Sequence, residues 1–175
     1  NLRKKKYFDI DKKFFLPILK LFRYRLKKKN IKIALYYPSN FELNVLKILE
    51  FNKILAQDIL LPVTDKNNQM KFFTWKKNDA LFVNKFGMLE PRKTQVKVPD
   101  IMLVPVLAFD KDKYRLGYGK GFYDRYLQKY LRKFKNILTV GVAFSFQKYH
   151  NLPVNKKDFR LNYIITEKGI FWWEF

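Results

Sequence analysis

Short apolar runs set between stretches of helical period limit most strongly what this chain can fold into. The runs are "IKIALYYP" (31–38), "DILLPV" (58–63), "MKFFTW" (70–75), "DIMLVPVLAF" (100–109) and "NILTVGVAF" (136–144). Several are nearly continuous in apolar and β-branched residues, the pattern of strands covered on both faces. Between them, "FELNVLKILEFNK" (41–53) reads as a helix with Ser39 or Asn40 as its N-cap. Phe122, Tyr123, Tyr126, Leu127, Tyr130, Leu131 and Phe134 share one helical face. Residues 8–29 carry Phe14, Phe15, Ile18, Leu19, Phe22 and Leu26 at helical spacings, with Pro17 beginning, kinking or interrupting that helix. "FGMLEP" (86–91) reads as a turn, and "LNYIITEKGIFWW" (161–173) carries at least one more strand. This alternation predicts an α/β fold: a single domain over residues 1–175 with a largely parallel sheet and helices on both faces, a three-layer α/β/α arrangement.

Composition narrows the chemistry. A 48% hydrophobic content over 175 residues belongs to a folded chain rather than a disordered one. No apolar run approaches the roughly 20 residues of a membrane helix, and the basic start lacks the apolar core of a secretion signal. The expectation is a soluble, cytoplasmic protein with no membrane partner. Cysteine is absent, which excludes disulfides, thiol catalysis and cysteine-ligated zinc. His150 is the one histidine, so a histidine metal cluster is excluded, and neither Ser39 nor Ser145 sits in a nucleophile-elbow context. The net charge of +22 asks for a polyanionic partner or reflects drift toward lysine. It is clustered at residues 3–6 and 23–29 but continues at intervals to Lys168. That diffuse pattern fits an anionic small molecule better than a nucleic acid; a basic nucleic-acid-binding domain without catalysis is the alternative.

The chain has six glycines, and Gly117, Gly119 and Gly121 alternate within "YRLGYGKGFYDRYL" (114–127). This stretch lies between an expected strand and an expected helix, where open α/β sheets bind ligands. Glycines there let the backbone reach positive φ and turn amide N–H groups toward an anion. The next helix adds its N-terminal donors, and Arg115 and Lys120 add full charges. The spacing matches neither a Walker loop nor a Rossmann turn, so a phosphate cradle and a plain glycine turn both fit it. Asp124, in the first helical turn, is either a dipole-stabilising acid or a ligand for Mg²⁺.

"VPVLAFDKDKYRLGYGKGFYDRYL" (104–127) resembles the signature of the 5-formyltetrahydrofolate cyclo-ligase family. The resemblance continues in "ALYYPSNFE" (34–42), "FGMLEP" (86–91), "LPVNKKDF" (152–159) and "ITE" (165–167). It implies an enzyme that uses ATP and Mg²⁺ to close 5-formyltetrahydrofolate, polyglutamylated or not, into 5,10-methenyltetrahydrofolate. By the same resemblance Arg115, Leu116, Gly117, Tyr118, Gly119, Lys120, Gly121, Phe122 and Tyr123 line ATP. Gly119 to Tyr123 also border the folate, and Lys120, Arg115 and Tyr123 stand at the chemistry. Tyr37 and Glu42 match folate-contacting positions, Asp124 and Asp158 match metal-binding acids, and Arg3 matches the arginine of an N-terminal nucleotide site. The lysine of that N-terminal pair would fall before Asn1. Two positions depart from the family pattern: Lys113 replaces a usual glycine, and Asn162 a frequent acid.

Overall fold

The computed structural model describes residues 10–27, 30–67, 69–131 and 136–171. Its strands are β1 (Lys32–Ala34), β2 (Asp58–Thr64), β3 (Met70–Thr74), β4 (Leu81–Val83), β5 (Leu89–Pro91) and β6 (Val96–Lys97). They continue as β7 (Ile101–Pro105), β8 (Ala108–Phe109), β9 (Arg115–Leu116), β10 (Leu138–Val142), β11 (Tyr163–Thr166) and β12 (Gly169–Phe171). The helices are α1 (Leu16–Phe22), α2 (Asn52–Leu55) and α3 (Phe122–Leu131), accompanied by 3₁₀ turns.

Eight strands form one sheet in the order β12-β11-β10-β7-β1-β2-β3-β6. Its centre is parallel: β11 on β10, β10 on β7, β7 on β1 and β1 on β2. The margins are antiparallel, through β12, β3 and β6. Period-two side-chain alternation divides the core between the two faces. Ile33, Leu35, Ile101, Leu103, Val140 and Val142 pack with Phe15, Ile18 and Phe22 on one side. Ala34, Leu60, Met102 and Val104 pack with Tyr126 and Leu127 of α3 on the other. The expected layered α/β architecture is therefore present.

Two local expectations change. Pro17 lies in the first turn of α1, where its missing N–H costs no helical bond, so it begins that helix. The helix expected over 41–53 is a 3₁₀ segment, Val45–Glu50, followed by the single turn of α2. Its cap is Asn44, whose Oδ1 accepts from Leu46 N at 3.1 Å, rather than Ser39 or Asn40. The cause lies upstream, where Glu42 Oε2 accepts from Ser39 N at 2.9 Å and ties residues 39–42 into a turn. Asn40 and Phe41 hold left-handed φ of 47° and 59° within it, so helix cannot start there. "FGMLEP" likewise contributes a strand, β5, as well as a turn: β4 and β5 form an antiparallel hairpin.

The topology places a crevice. β1 hands the chain to β2 on one side, and β7 hands it to β10 on the other. The neighbouring strands β1 and β7 thus send their C-terminal connections in opposite directions, the switch point at which open α/β sheets bind ligands. The two segments that leave are residues 35–44 and 106–121.

Candidate active site

Residues 106–121 are built by a small ribbon. β8 and β9 pair antiparallel, with Ala108 opposite Leu116 and Phe109 opposite Arg115. Asp110 Oδ1 closes the turn by accepting from Asp112 N (2.9 Å) and Tyr114 N (3.0 Å). Lys113 adopts φ 67°, which explains the departure at this position: the turn keeps the left-handed conformation that a glycine would favour, and here a lysine carries it. Partial burial and the nearby Arg160 lower the pKa of its ammonium. Lys113→Gly is therefore expected to stabilise the protein by about 1 kcal/mol, after the entropic cost of glycine is offset. Urea unfolding measures this, and a loss of stability would contradict the strain.

Past β9 the glycine loop runs directly into α3. Gly119 and Gly121 take φ of 80° and 60°, a conformation that favours glycine, whereas Gly117 does not use a positive φ. The loop rests on the β4–β5 hairpin. Phe86 lies 5.8 Å from Phe122 between ring centroids, and Lys120 Nζ sits 3.5 Å from the Phe86 centroid. Leu116, Tyr118 and Lys120 are exposed at the rim. Tyr118 reaches across the crevice, its hydroxyl 3.4 Å from Asn40 O.

Beneath the rim is a buried polar cluster. Arg115 donates Nη1–H to Asp124 Oδ1 at 2.8 Å and Nη2–H to Oδ2 at 3.2 Å. Their side chains are only 5% and 17% exposed. Arg115 Nε and the Tyr123 hydroxyl are buried and have no hydrogen-bond partner. Glu42, buried, faces the same space from the β1 side. Burial first, and then the Glu42 carboxylate, push the Tyr123 hydroxyl pKa far up, while Arg115 opposes that. Burial and Glu42 act on Tyr36 in the same way. Tyr123 is thus a neutral hydrogen-bond donor at any physiological pH. Buried polar atoms without partners are uncommon and costly, and here two of them lie in one cluster.

The structure therefore brings together Glu42, Arg115, Tyr123 and Asp124, with Lys120 at the rim above them. Tyr37 is exposed beside the turn that holds Glu42. Arg3 lies outside the described residues. Asp158 is drawn to the same corner, because its neighbour Phe159 donates N–H to Asp124 Oδ1 at 3.2 Å. Asp158 Oδ2 accepts from Asn155 N at 2.8 Å. Among the described residues no three His or acidic side chains form a metal cluster. Mg²⁺ commonly takes one or two carboxylates and completes its shell with phosphates and water, so the hard oxygens of Asp124 and Asp158 suit it in kind. Asp124 is first committed to Arg115. Asn162 plays no part there: its Oδ1 accepts from Thr139 N and Oγ1, fastening the start of β11 to β10.

One functional support escaped the sequence reading. Gln147, buried, accepts from Phe144 N at 2.7 Å and donates Nε2–H to Val106 O and Leu107 O at 2.7 and 2.8 Å. It props the β7 exit from which the ribbon of Arg115 springs. An amide at the end of the largely apolar "VAFSFQ" (142–147) was its only signal.

No helix among the described residues is long and apolar enough to cross a membrane. The model of the 5-formyltetrahydrofolate cyclo-ligase family matches residues 11–167. A 5-formyltetrahydrofolate cyclo-ligase of Mycoplasma pneumoniae is 34% identical over 151 residues, 85% of this chain and 81% of that protein. One of Haemophilus influenzae is 32% identical over 133 residues, 72% of this chain and 70% of that protein. Among solved structures, a 5,10-methenyltetrahydrofolate synthetase from Mycoplasma pneumoniae superposes with a TM-score of 0.69 at 28% identity, covering 93% of this chain and 87% of that one. The Aquifex aeolicus synthetase gives 0.67 at 32% identity, covering 97% and 89%. With that match spanning nearly all of its length, the chain belongs to the 5-formyltetrahydrofolate cyclo-ligase family.

Proposed function

We propose that this protein is a single-domain cytoplasmic enzyme that closes 5-formyltetrahydrofolate to 5,10-methenyltetrahydrofolate and converts ATP to ADP and phosphate. The observation that carries this reading is the buried pair of unpartnered donors, Arg115 Nε and Tyr123 OH, with the Glu42 carboxylate near enough to act on the Tyr123 hydroxyl. A formamide carbon is a poor electrophile, since its nitrogen donates into the carbonyl, and its oxygen is a poor leaving group. The formyl oxygen attacks the γ-phosphorus, ADP departs, and the oxygen is now part of a phosphate ester. N10 of the same molecule attacks the activated carbon, the C–O bond breaks to release phosphate, and N10 gives up its proton. Ring closure is intramolecular, so the protein's task is positioning and charge stabilisation.

Each residue has a share in that task. Gly119 and Gly121 let the backbone approach the phosphates, and Lys120 stabilises the phosphoryl group in transit. Arg115 and Tyr123 donate to oxygens of the bound substrates, which satisfies their orphaned groups. Tyr37 and Glu42 orient the folate from the β1 side, and a polyglutamate tail, where present, extends toward a strongly basic surface. Asp124 and Asp158 hold Mg²⁺, which when bound neutralises phosphate charge. Nucleic acid is not a partner in this reading.

Two measurements test it. Purified protein with 5-formyltetrahydrofolate, Mg²⁺ and ATP is expected to develop the methenyl-folate absorbance band; a folded protein that does not do so sinks the reading. Tyr123→Phe separates function from folding: stability is expected to hold or rise by about 1 kcal/mol, because an unpaired buried hydroxyl is removed, while kcat/KM falls about tenfold. A variant less stable but equally active would contradict the role of Tyr123.

A further inference from the structure

Two demands meet on one ion pair. Resting on the reading above, ATP needs the Arg115 guanidinium and Mg²⁺ needs the Asp124 carboxylate, yet each is the other's partner here. The pair is bidentate and largely buried, at 2.8 and 3.2 Å. Asp124 Oδ1 also carries the Phe159 N–H, so the acid is held on two sides and cannot simply rotate aside. Of the Arg115 nitrogens only Nε, which is buried, has no hydrogen-bond partner. While the pair is closed its two charges compensate each other, and the Glu42 carboxylate acts on the Tyr123 that Arg115 also acts on. An ATP molecule arriving without a cation therefore gains little from Arg115, and a cation arriving without ATP meets a carboxylate whose charge is already compensated.

We propose that Arg115 and Asp124 form an exchange latch that couples nucleotide binding to metal binding. Phosphate takes Arg115 only as the metal takes Asp124, so each ligand strengthens the other through a change of partners. Asp124 thereby positions Arg115 and holds its charge in reserve until both ligands are present. Such coupling is reciprocal: whatever factor Mg²⁺ adds to ATP affinity, ATP adds to Mg²⁺ affinity.

The test measures binding, not turnover. Calorimetric titration of the wild type should show ATP binding weakly in EDTA and at least about tenfold more tightly with Mg²⁺. Asp124→Asn keeps an acceptor for Phe159 N but releases the Arg115 charge. It is expected to bind metal-free ATP at least about tenfold more tightly than the wild type, with little further gain from Mg²⁺. The reciprocal variant, Arg115→Met, frees Asp124. It should bind Mn²⁺ without nucleotide about tenfold more tightly than the wild type, read by electron paramagnetic resonance, and this arm decides the matter if Asp124→Asn does not fold. Metal-free ATP binding no tighter in folded Asp124→Asn, or unchanged Mn²⁺ affinity in Arg115→Met, overturns the latch while wild-type turnover leaves the enzymatic reading intact. A wild type that binds no ATP with Mg²⁺ overturns both.

Discussion

Lys120→Ala is expected to lower kcat by at least about 100-fold, roughly 2.7 kcal/mol of transition-state stabilisation. The side chain is at the tip of the glycine loop and exposed, with its ammonium over the Phe86 ring. A cation–π contact at such a site is worth only about 0.5–1 kcal/mol, whereas a charge-assisted bond to a phosphoryl oxygen is worth about 1.5–3 kcal/mol. Phosphate therefore draws the ammonium off the ring without a large penalty. The small value of the resting contact also makes the experiment readable, since the variant should keep its stability within about 1 kcal/mol. Steady-state kinetics at saturating ATP and folate measure the effect. Near-normal turnover would reduce Lys120 to a prop for the hairpin.

The second large effect is expected at Gln147. Truncation to alanine strands two buried groups, Phe144 N and Val106 O, each of which costs about 1–3 kcal/mol when left unpaired, and the part-buried Leu107 O. A loss of about 3 kcal/mol in urea unfolding is expected, because partial relaxation keeps the sum from adding fully. Function should fall as well. The same segment anchors the ribbon through Tyr149 N, which donates to Phe109 O at 2.7 Å, and a loosened ribbon lets Arg115 drift from its place. KM for ATP should therefore rise several-fold before kcat changes. Gln147→Glu is a sharper control: it retains the acceptor for Phe144 N but turns a carboxylate toward two carbonyls, and should be no better than alanine. A variant with an unchanged unfolding midpoint would show that the β10 exit does not support the site.

Much of this fold was legible in the chain because buried strands announce themselves. Ile101, Leu103 and Met102, Val104 alternate between two cores, and the same rule reads Ile33 against Ala34. The helix at 41–53 was legible as apolar period but not as helix type. A local bond from Glu42 back to Ser39 decided where and how that segment began, and such bonds are set by tertiary placement rather than by propensity. The glycine loop was legible as a turn of unusual geometry, and Gly119 and Gly121 use that freedom. What it surrounds was not. Arg115 and Asp124 are on a ribbon and a helix, and only the folded ribbon closes the distance between them. Spacing offered Asp124 as a helix-dipole acid or a metal ligand, and the structure adds a third partner.

The central claim, that ATP activates the formyl oxygen for displacement by N10, has one direct test. The substrate is 5-formyltetrahydrofolate carrying ¹⁸O in the formyl group, turned over with unlabelled ATP and Mg²⁺, and the inorganic phosphate is analysed by mass spectrometry. Phosphorylation of that oxygen followed by C–O cleavage predicts one ¹⁸O atom in each phosphate released. Unlabelled phosphate formed alongside methenyl product, with the heavy oxygen recovered in water, would contradict the account.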